Sequence, residues 1–424
     1  MKGGKKMFDL IAICEAAKKA SYELGKINTG KKNDVLMKVA QALEDKSAVI
    51  IEANKIDMEN GVASGMSKAI LDRLMLDESR IKGMADGVRQ VAGLEDPIGE
   101  VLSMSKRPNG MIVGKRRVPI GVIGIIYEAR PNVTSDAFAL CFKTSNSTIL
   151  KGGSDAINSN RAIVEVIREV LEKECVTGDA VNFIDSVDRE VTKEFMRMNK
   201  YVDLLIPRGS ASLIKATVEN STIPVIETGT GNCHVYVDRF ADIKKATDII
   251  VNAKTQRIGV CNACESLVVH KDILKEALPV IAKELVAKNV EIRADKDSKA
   301  ILDNAGIKAV EATEEDFYTE FLDYIISVKS VASIDEAIAH INEHNTKHSE
   351  AVITENYTNA QKFLDEIDAA CVYVNASTRF TDGCEFGFGA EIGISTQKMH
   401  ARGPMGLKEL TSYKYIIYGD GQIR

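Results

Sequence analysis

The chain has 424 residues, 45% hydrophobic and 27% charged, with a formal net charge of −6 and an isoelectric point near 5.7. That length implies more than one domain, and the acidic balance excludes a general pull toward nucleic acid. No apolar stretch reaches the length of a membrane span; the longest, around "VPIGVIGIIY", falls well short of one.

In chain order, the opening "MKGGKKMFDLIAIC" imitates a secretion signal with its lysines and apolar run. Asp9 interrupts the run, Glu15 follows it and no small-residue cleavage site appears, so an amphipathic helix and a cytoplasmic location are expected. "DVLMKVAQALEDKSAVIIEANKIDMENG" (34–61) and "ILDRLMLDESRIKGMADGVRQVAGL" (70–94) place apolar residues three and four apart and predict helices. Pro108-Asn109-Gly110 then separates two strand-like arms and predicts a hairpin. The basic run "GKRR" (Gly114–Arg117) lies on the second arm, where a solvated strand or an anion contact explains it better than a DNA groove.

From Ile120 the pattern alternates. "IGVIGIIYE", "STILKG", "AVNFID", "VDLLIPRG" and "IPVIET" read as strands, with helices between them at "SDAFALCFKTS", "DAINSNRAIVEVIREVLEKE", "REVTKEFMRMN" and "SASLIKATVENS". Short connections between such elements predict a parallel sheet covered on both faces, with ligands beyond the carboxyl ends of its strands. A second α/β block opens with "ADIKKATDIIVNAKTQ" and runs past "VYVNAS" and "FGFGAEIGIS". The final "YKYIIYGDGQIR" is strand-like.

Eight cysteines without regular spacing argue against a disulfide framework. Only Cys261 and Cys264, in "RIGVCNACESLVVH", are close together, and three chemistries compete for them. A structural zinc site needs a second ligand pair that the sequence does not supply. His340, His344 and His348 in "HINEHNTKH" are spaced by four but have no accompanying carboxylate cluster, and are expected on the exposed face of a helix. A thioredoxin-type pair opens a helix after a strand, whereas here a helix precedes and a strand follows. A nucleophile needs one thiol on a loop between elements. Gly259 and Cys261 supply that, Arg257 is nearby either to favour a thiolate or to make a structural pair, and Cys264 is then a small buried filler.

Around these residues the chain resembles the aldehyde dehydrogenase superfamily. "NAKTQRIGVCNACESLVVH" is similar to its active-site segment. The likeness continues in order through "LDRLMLDESRI", "GVIGIIYEARPNVTSDAFALC", "LKGGSDA", "IPRGSASLI", "VIETGTGNCH", "KHSEAVIT", "VYVNASTRFTDG" and "FGFGAEIGISTQKMHARGPMGL". The resemblance implies an α/β fold with two parallel-sheet domains and a small oligomerisation flap. The cofactor domain would span 1–99 and 119–228, the catalytic domain 229–408, and the flap 100–118 and 409–424.

It also implies roles. Cys261 becomes the nucleophile and Asn132 the oxyanion donor, although after Pro131 an asparagine is also an ordinary turn residue. Lys151 matches a ribose-binding lysine. Ser154 stands where NAD-preferring relatives carry a glutamate, and losing that carboxylate favours NADPH/NADP+. Gly209 and Ser210 match a pyrophosphate contact at a helix start, and Glu320 the glutamate that positions the nicotinamide ribose. Glu227 aligns with the superfamily's general base, but release of phosphate needs no hydrolysis, so it is placed in the cofactor channel or given a structural part. Arg130, His348, Ser349, Arg379 and Arg402 are candidates for the substrate's charged groups, and no metal is implied.

The branch most resembled reduces an acyl phosphate. It implies NADPH-dependent conversion of L-glutamyl 5-phosphate to L-glutamate 5-semialdehyde in proline biosynthesis, through a cysteine thioester. The alternative is a hydrolytic NAD(P)-dependent aldehyde dehydrogenase using Glu227. A homo-oligomer and association with glutamate 5-kinase are the expected protein partners.

Overall fold

The computed structural model describes residues 9–424. The lysine-rich residues 1–8 of the N-terminal segment lie outside them, and the helix there is seen from its cap, Asp9, whose carboxylate accepts the Ala12 amide. The chain forms two compact units: Met1–Thr228 with Gly387–Gly393 and Met405–Arg424, and Gly229–Phe386 with Ile394–Pro404.

Five helices open the first unit: α1 (Leu10–Leu24), α2 (Thr29–Asp45), α3 (Ser47–Ala63), α4 (Lys68–Leu74) and α5 (Glu78–Gly93). Both long helices expected from periodicity are broken. The second breaks before Asp77, which caps α5 by accepting the Arg80 amide at 2.8 Å. The first breaks at Lys46, where no glycine, proline or capping side chain marks the turn. The packing on the two sides differs: α2 lies on both α5 and α7 (Ile157–Lys173), whereas α3 lies mainly on α7.

The hairpin forms as expected. β1 (Val101–Lys106) and β2 (Ile112–Pro119) pair antiparallel around a turn in which Gly110 takes φ +91°. The C-terminal strand Thr411–Tyr418 pairs with β2 along its whole length, from Thr411 opposite Pro119 to Tyr418 opposite Ile112.

Alternation follows: β3 (Val122–Tyr127), α6 (Asn132–Lys143), β4 (Ser147–Gly152), α7, β5 (Val181–Phe183), α8 (Arg189–Phe195), β6 (Leu204–Arg208) and α9 (Ala211–Asn220). The strands are parallel in the order β5-β4-β3-β6. β3 and β4 are buried throughout, and β3 accordingly reads as a nearly unbroken apolar run. "IPVIET" yields only a single bridge, Val225 to Leu205; Pro224 beside it has no amide to donate. Because β3 lies between β4 and β6, the sheet reverses its direction of growth there. The crevice beyond the carboxyl ends of β3 and β6 is where such sheets take ligands.

The second unit contains β7 (Cys233–Val237), α10 (Ile243–Thr255), β8 (Cys264–His270), α11 (Lys271–Ala287), β9 (Glu291–Ala294), α12 (Lys296–Asn304) and β10 (Val310–Glu311). It continues through β11 (Ile325–Val331), α13 (Ile334–His344), β12 (Ser349–Ile353), α14 (Tyr357–Glu366) and β13 (Cys371–Val374). Seven parallel strands run β10-β9-β11-β8-β7-β12-β13. Val235, Leu267, Val328 and Ala351 of the sheet pack against Ile250, Leu278 and Ile281 of α10 and α11. Of "FGFGAEIGIS" only Ile394–Ser395 is extended, paired with Gly403–Pro404.

The exposed face expected for the histidines does not form. His340 and His344 lie on the buried side of α13 with ring centroids 4.1 Å apart, against Phe317, and His348 is fully buried beyond the helix end. His234 meets Glu350 through its amide at 2.7 Å and through Nδ1 at 3.0 Å. Among the described residues no group of three or more His, Cys, Asp or Glu is arranged to hold a metal ion.

Burial first, and then His344, pushes the imidazoles of His234 and His340 down to about 3, so both are neutral in the fold. In the unfolded chain they protonate near the ordinary value of about 6.5. The unfolded state therefore binds more protons as the pH falls. The contribution of each histidine is complete above that value and is lost progressively toward pH 3. At pH 5 the loss is about 2 kcal/mol per histidine. His340→Gln is expected to lose about 2 kcal/mol less stability than the parent chain between pH 7.5 and 5, measured by urea denaturation. Parallel pH dependences would contradict this.

Candidate active site

At the carboxyl edge of the first sheet, Lys151 ends β4 almost buried, with Nζ donating to the Gly152 carbonyl at 2.7 Å, and burial lowers its pKa. The Gly153 amide donates to the Tyr127 carbonyl at 2.8 Å, tying the ends of β3 and β4 together. Ser154 is exposed and its hydroxyl donates to Asp155 Oδ1 at 3.3 Å. A carboxylate thus remains one residue beyond the serine.

After β6, Ser210 caps α9 and its amide donates to Glu128 Oε2 at 2.9 Å. A Cβ at Gly209 would lie 2.5 Å from that same oxygen, so a side chain there would push the Glu128 carboxylate aside. The start of α9 therefore already faces a carboxylate, the kind of group helix N-termini hold.

Asn132 is the first residue of α6 and is exposed. Its side-chain nitrogen donates to Asp136 Oδ2, one turn on, at 3.0 Å. Burial raises Asp136 to about 6 against the opposing pull of Asn132 and Arg208. One of the two amide N–H bonds of Asn132 is thereby committed, which fixes the plane of the group. Arg130 is half-buried just before α6, and its carbonyl accepts the Val133 amide. Glu227 is half-buried in the segment after Val225.

In the second unit, Cys261 is half-buried in a turn between α10 and β8. Its carbonyl accepts the thiol of Cys233 at 3.1 Å. A Cβ on Gly231 would come within 1.4 Å of that carbonyl oxygen. The Gly231 amide in turn donates to Glu320 Oε1 at 2.7 Å, and burial raises the pKa of Glu320.

On the other side, Asn262 donates to the Thr381 carbonyl at 2.9 Å and accepts the Thr378 hydroxyl at 2.8 Å. Arg379 of the same short turn donates Nε to Gln256 Oε1 at 2.9 Å. Burial, then the like charge of Arg257, lowers its pKa. Cys264 is fully buried and its thiol is pushed up to about 12 by burial, the mark of an inert filler.

Of the sequence candidates, Glu320 and Arg379 gather around the Cys261 turn. His348 and Ser349 are fully buried behind it. His348 Nδ1 lies 3.8 Å from Cys233 Sγ and 2.8 Å from Ser349 Oγ, which meets Thr381 Oγ1 at 2.6 Å. Arg402 instead binds Asp368 at 2.6 Å, a carboxylate it shares with Lys398 and Lys347.

Gly231, Cys233, Asp136 and the pair Lys254–Glu265 were not among the candidates. Only Glu265 left a signal, as a charge in the otherwise apolar strand "ESLVVH". In this unit Cys233, Cys261 and Ser349 lie at the amino ends of the strands, the edge opposite to the one the parallel-sheet rule favours.

The model of the aldehyde dehydrogenase family matches residues 4–320 and 307–416, and the chain belongs to that family. Gamma-glutamyl phosphate reductase of Agathobacter rectalis is 62% identical over 419 residues, covering 99% of this chain and 100% of the relative. The enzyme of the same name from Clostridium botulinum (strain Eklund 17B / Type B) is 59% identical over 418 residues, with the same coverage. The crystal structure of gamma-glutamyl phosphate reductase from Thermotoga maritima matches with a TM-score of 0.95 at 49% identity, covering 98% of this chain and 100% of that one. An acetylating aldehyde dehydrogenase from Geobacillus thermoglucosidasius shares the fold at 17% identity, with a TM-score of 0.71.

Gly231→Ala tests the packing of the Cys261 turn. It is expected to cost about 2 kcal/mol of stability, read from thermal melting, because backbone must move to admit the methyl. Turnover should fall by about two orders of magnitude as Cys261 is displaced. Parental turnover in a folded Gly231→Ala chain would contradict the packing described.

Proposed function

We propose that the chain reduces L-glutamyl 5-phosphate to L-glutamate 5-semialdehyde and phosphate, with NADPH as reductant, as a step of proline biosynthesis. The observation that carries this reading is the 62% identity, across 99% of the chain, to a relative named for that reaction, with a cysteine on a constrained turn as its centre.

The Cys261 sulfur attacks the acyl carbon; the carbon–sulfur bond forms as the bond to the phosphate oxygen breaks, and phosphate leaves. Asn132, its amide plane held by Asp136, donates to the oxyanion in this step and again when the thioester is reduced. The bound dinucleotide supplies the hydride. Collapse of the resulting oxyanion breaks the carbon–sulfur bond, releases the aldehyde and returns the thiolate. No water is consumed, so Glu227 is not required as a base and serves the cofactor side. Arg379 and Arg130 are assigned to the anionic groups of the substrate, with His348 and Ser349 supporting the turn from behind. Arg402, engaged by Asp368, is assigned to bracing.

The residues suit a dinucleotide. Lys151 and Ser154 would hold the adenine-side ribose, and the start of α9 at Gly209 and Ser210 would hold the pyrophosphate in place of Glu128, whose carboxylate takes the Ser210 amide here. Glu320 orients the nicotinamide ribose. Preference for the 2′-phosphate rests on the missing glutamate at Ser154, with Asp155 as its near neighbour.

The cofactor domain is assigned to 1–99 and 119–228 and the catalytic domain to 229–408, of which Gly387–Gly393 and 405–408 fall in the first unit. The sheet of β1, β2 and Thr411–Tyr418 is the oligomerisation flap. It exposes Tyr415 and Ile417 on one face and Val101 and Met104 on the other, and a three-stranded sheet with bare apolar side chains gains by pairing with another copy. Its substrate is labile in water, which favours hand-off from glutamate 5-kinase in the cytoplasm. No helix among the described residues is long and apolar enough to cross a membrane.

Cys261→Ser is expected to abolish turnover while leaving NADPH binding within about twofold by fluorescence titration, whereas Cys264→Ala retains most activity. Substantial turnover by Cys261→Ser would overturn the assignment. Ser154→Glu should lower kcat/KM for NADPH by about tenfold or more and leave that for NADH little changed; equal losses with both would refute the role of Ser154.

A further inference from the structure

Glu265 is the second residue of β8, a strand buried along its length, and is itself fully buried. Lys254, in the last turn of α10, is equally buried and donates Nζ to Glu265 Oε2. Such a pair is a poor source of stability, because desolvating two charges costs about as much as their attraction returns. Two apolar side chains could fill the same space without loss.

What the pair provides instead is the second carboxylate oxygen. Glu265 Oε1 accepts the amide of Leu322 at 3.2 Å. Leu322 sits at φ +52°, a left-handed conformation that leucine adopts only under constraint. Earlier on the same loop, Glu320 takes the Gly231 amide, and Gly231 abuts the Cys261 carbonyl. One line of contacts therefore runs from Lys254 through Glu265, Leu322, Glu320 and Gly231 to Cys261. It begins on residues that flank Cys261 in the sequence and closes on Cys261 itself.

We propose that Glu265, charge-balanced by Lys254, is a positioning residue for the nucleophile: it fixes the loop 320–322 so that Glu320 holds the Gly231 segment against Cys261. The proposal rests on Cys261 being the nucleophile. Glu265 touches no reacting atom. Its lever is the placement of one turn, and misplacing a nucleophile by about an ångström costs about two orders of magnitude in rate. The same loop carries the carboxylate assigned to the nicotinamide ribose, so its placement governs both reacting partners.

Two double variants separate the hydrogen bond from the ion pair. Lys254→Met/Glu265→Met removes the charges and the acceptor for Leu322. Lys254→Gln/Glu265→Gln removes the charges but keeps a carbonyl oxygen in place. Full-length chains are compared in thermal melting, in kcat and KM, and in the rate of Cys261 alkylation by iodoacetamide across the pH range, located by peptide mapping.

The Met pair is expected to melt close to the parent chain, yet to lose about fiftyfold in kcat and to show a displaced alkylation profile. The Gln pair is expected to recover kcat to within about threefold of the parent. A Met pair with parental kcat and alkylation, or a folded Gln pair as slow as the Met pair, overturns the proposal. Should the Met pair fail to fold, Lys254→Met/Glu265→Val makes the same comparison, valine being too short to reach Leu322. Cys261→Ser measured alongside separates the two claims. Turnover retained there removes the nucleophile and this proposal together; an inactive Cys261→Ser beside a fully active Met pair removes the positioning role alone.

Discussion

The carbonyl of Cys261 has no room around it, and the chemistry proposed for the second unit depends on that. Gly231 lies so close that a single methyl would overlap the carbonyl oxygen, and the Cys233 thiol donates to the same atom. Asn262 is pinned on the other side by Thr378 and Thr381. A thiol carried on a turn held from several directions loses little orientation when it reacts, and pre-paid orientation is the largest contribution a protein makes when the substrate is already a good electrophile. Glycine at 231 and a small donor at 233 follow from this one close approach.

The two sheets use opposite edges. In the first, the residues assigned to the dinucleotide sit at the carboxyl ends of β3, β4 and β6, beside the reversal in strand order. In the second, the Cys261 turn precedes β8, and the groups that hold it precede or begin β7 and β12. Under the role proposed for Cys261, the rule for open parallel sheets points to the other end there, because the thiol is held by loops that enter the strands and not by those that leave them.

Much of the fold was legible in the sequence because its signals are local. Buried parallel strands such as "VIGIIY" read as apolar runs, helices such as Ile157–Lys173 show their period, and Pro108-Asn109-Gly110 announces its turn. Cys261 could be singled out because Gly259 and a following strand mark its loop. What escaped depends on partners distant in the chain. Lys46 breaks a helix with no glycine, proline or capping side chain to mark the turn. His340 and His344 look like solvent-facing polar residues until Phe317 and His234 are placed against them. The requirement for glycine at 231 comes from backbone thirty residues away. Lys254 and Glu265 were both in view within the active-site segment, yet only their burial together shows that they form a pair.

The central claim is that Cys261 exchanges its acyl group with phosphate and not with water. The reverse reaction tests it directly: L-glutamate 5-semialdehyde and NADP+ are supplied, and NADPH is followed by absorbance with and without inorganic phosphate. Strict dependence on phosphate is the expected result. NADPH formation at an undiminished rate in its absence would contradict the claim and make the chain a hydrolytic dehydrogenase, with Glu227 at the centre of its chemistry.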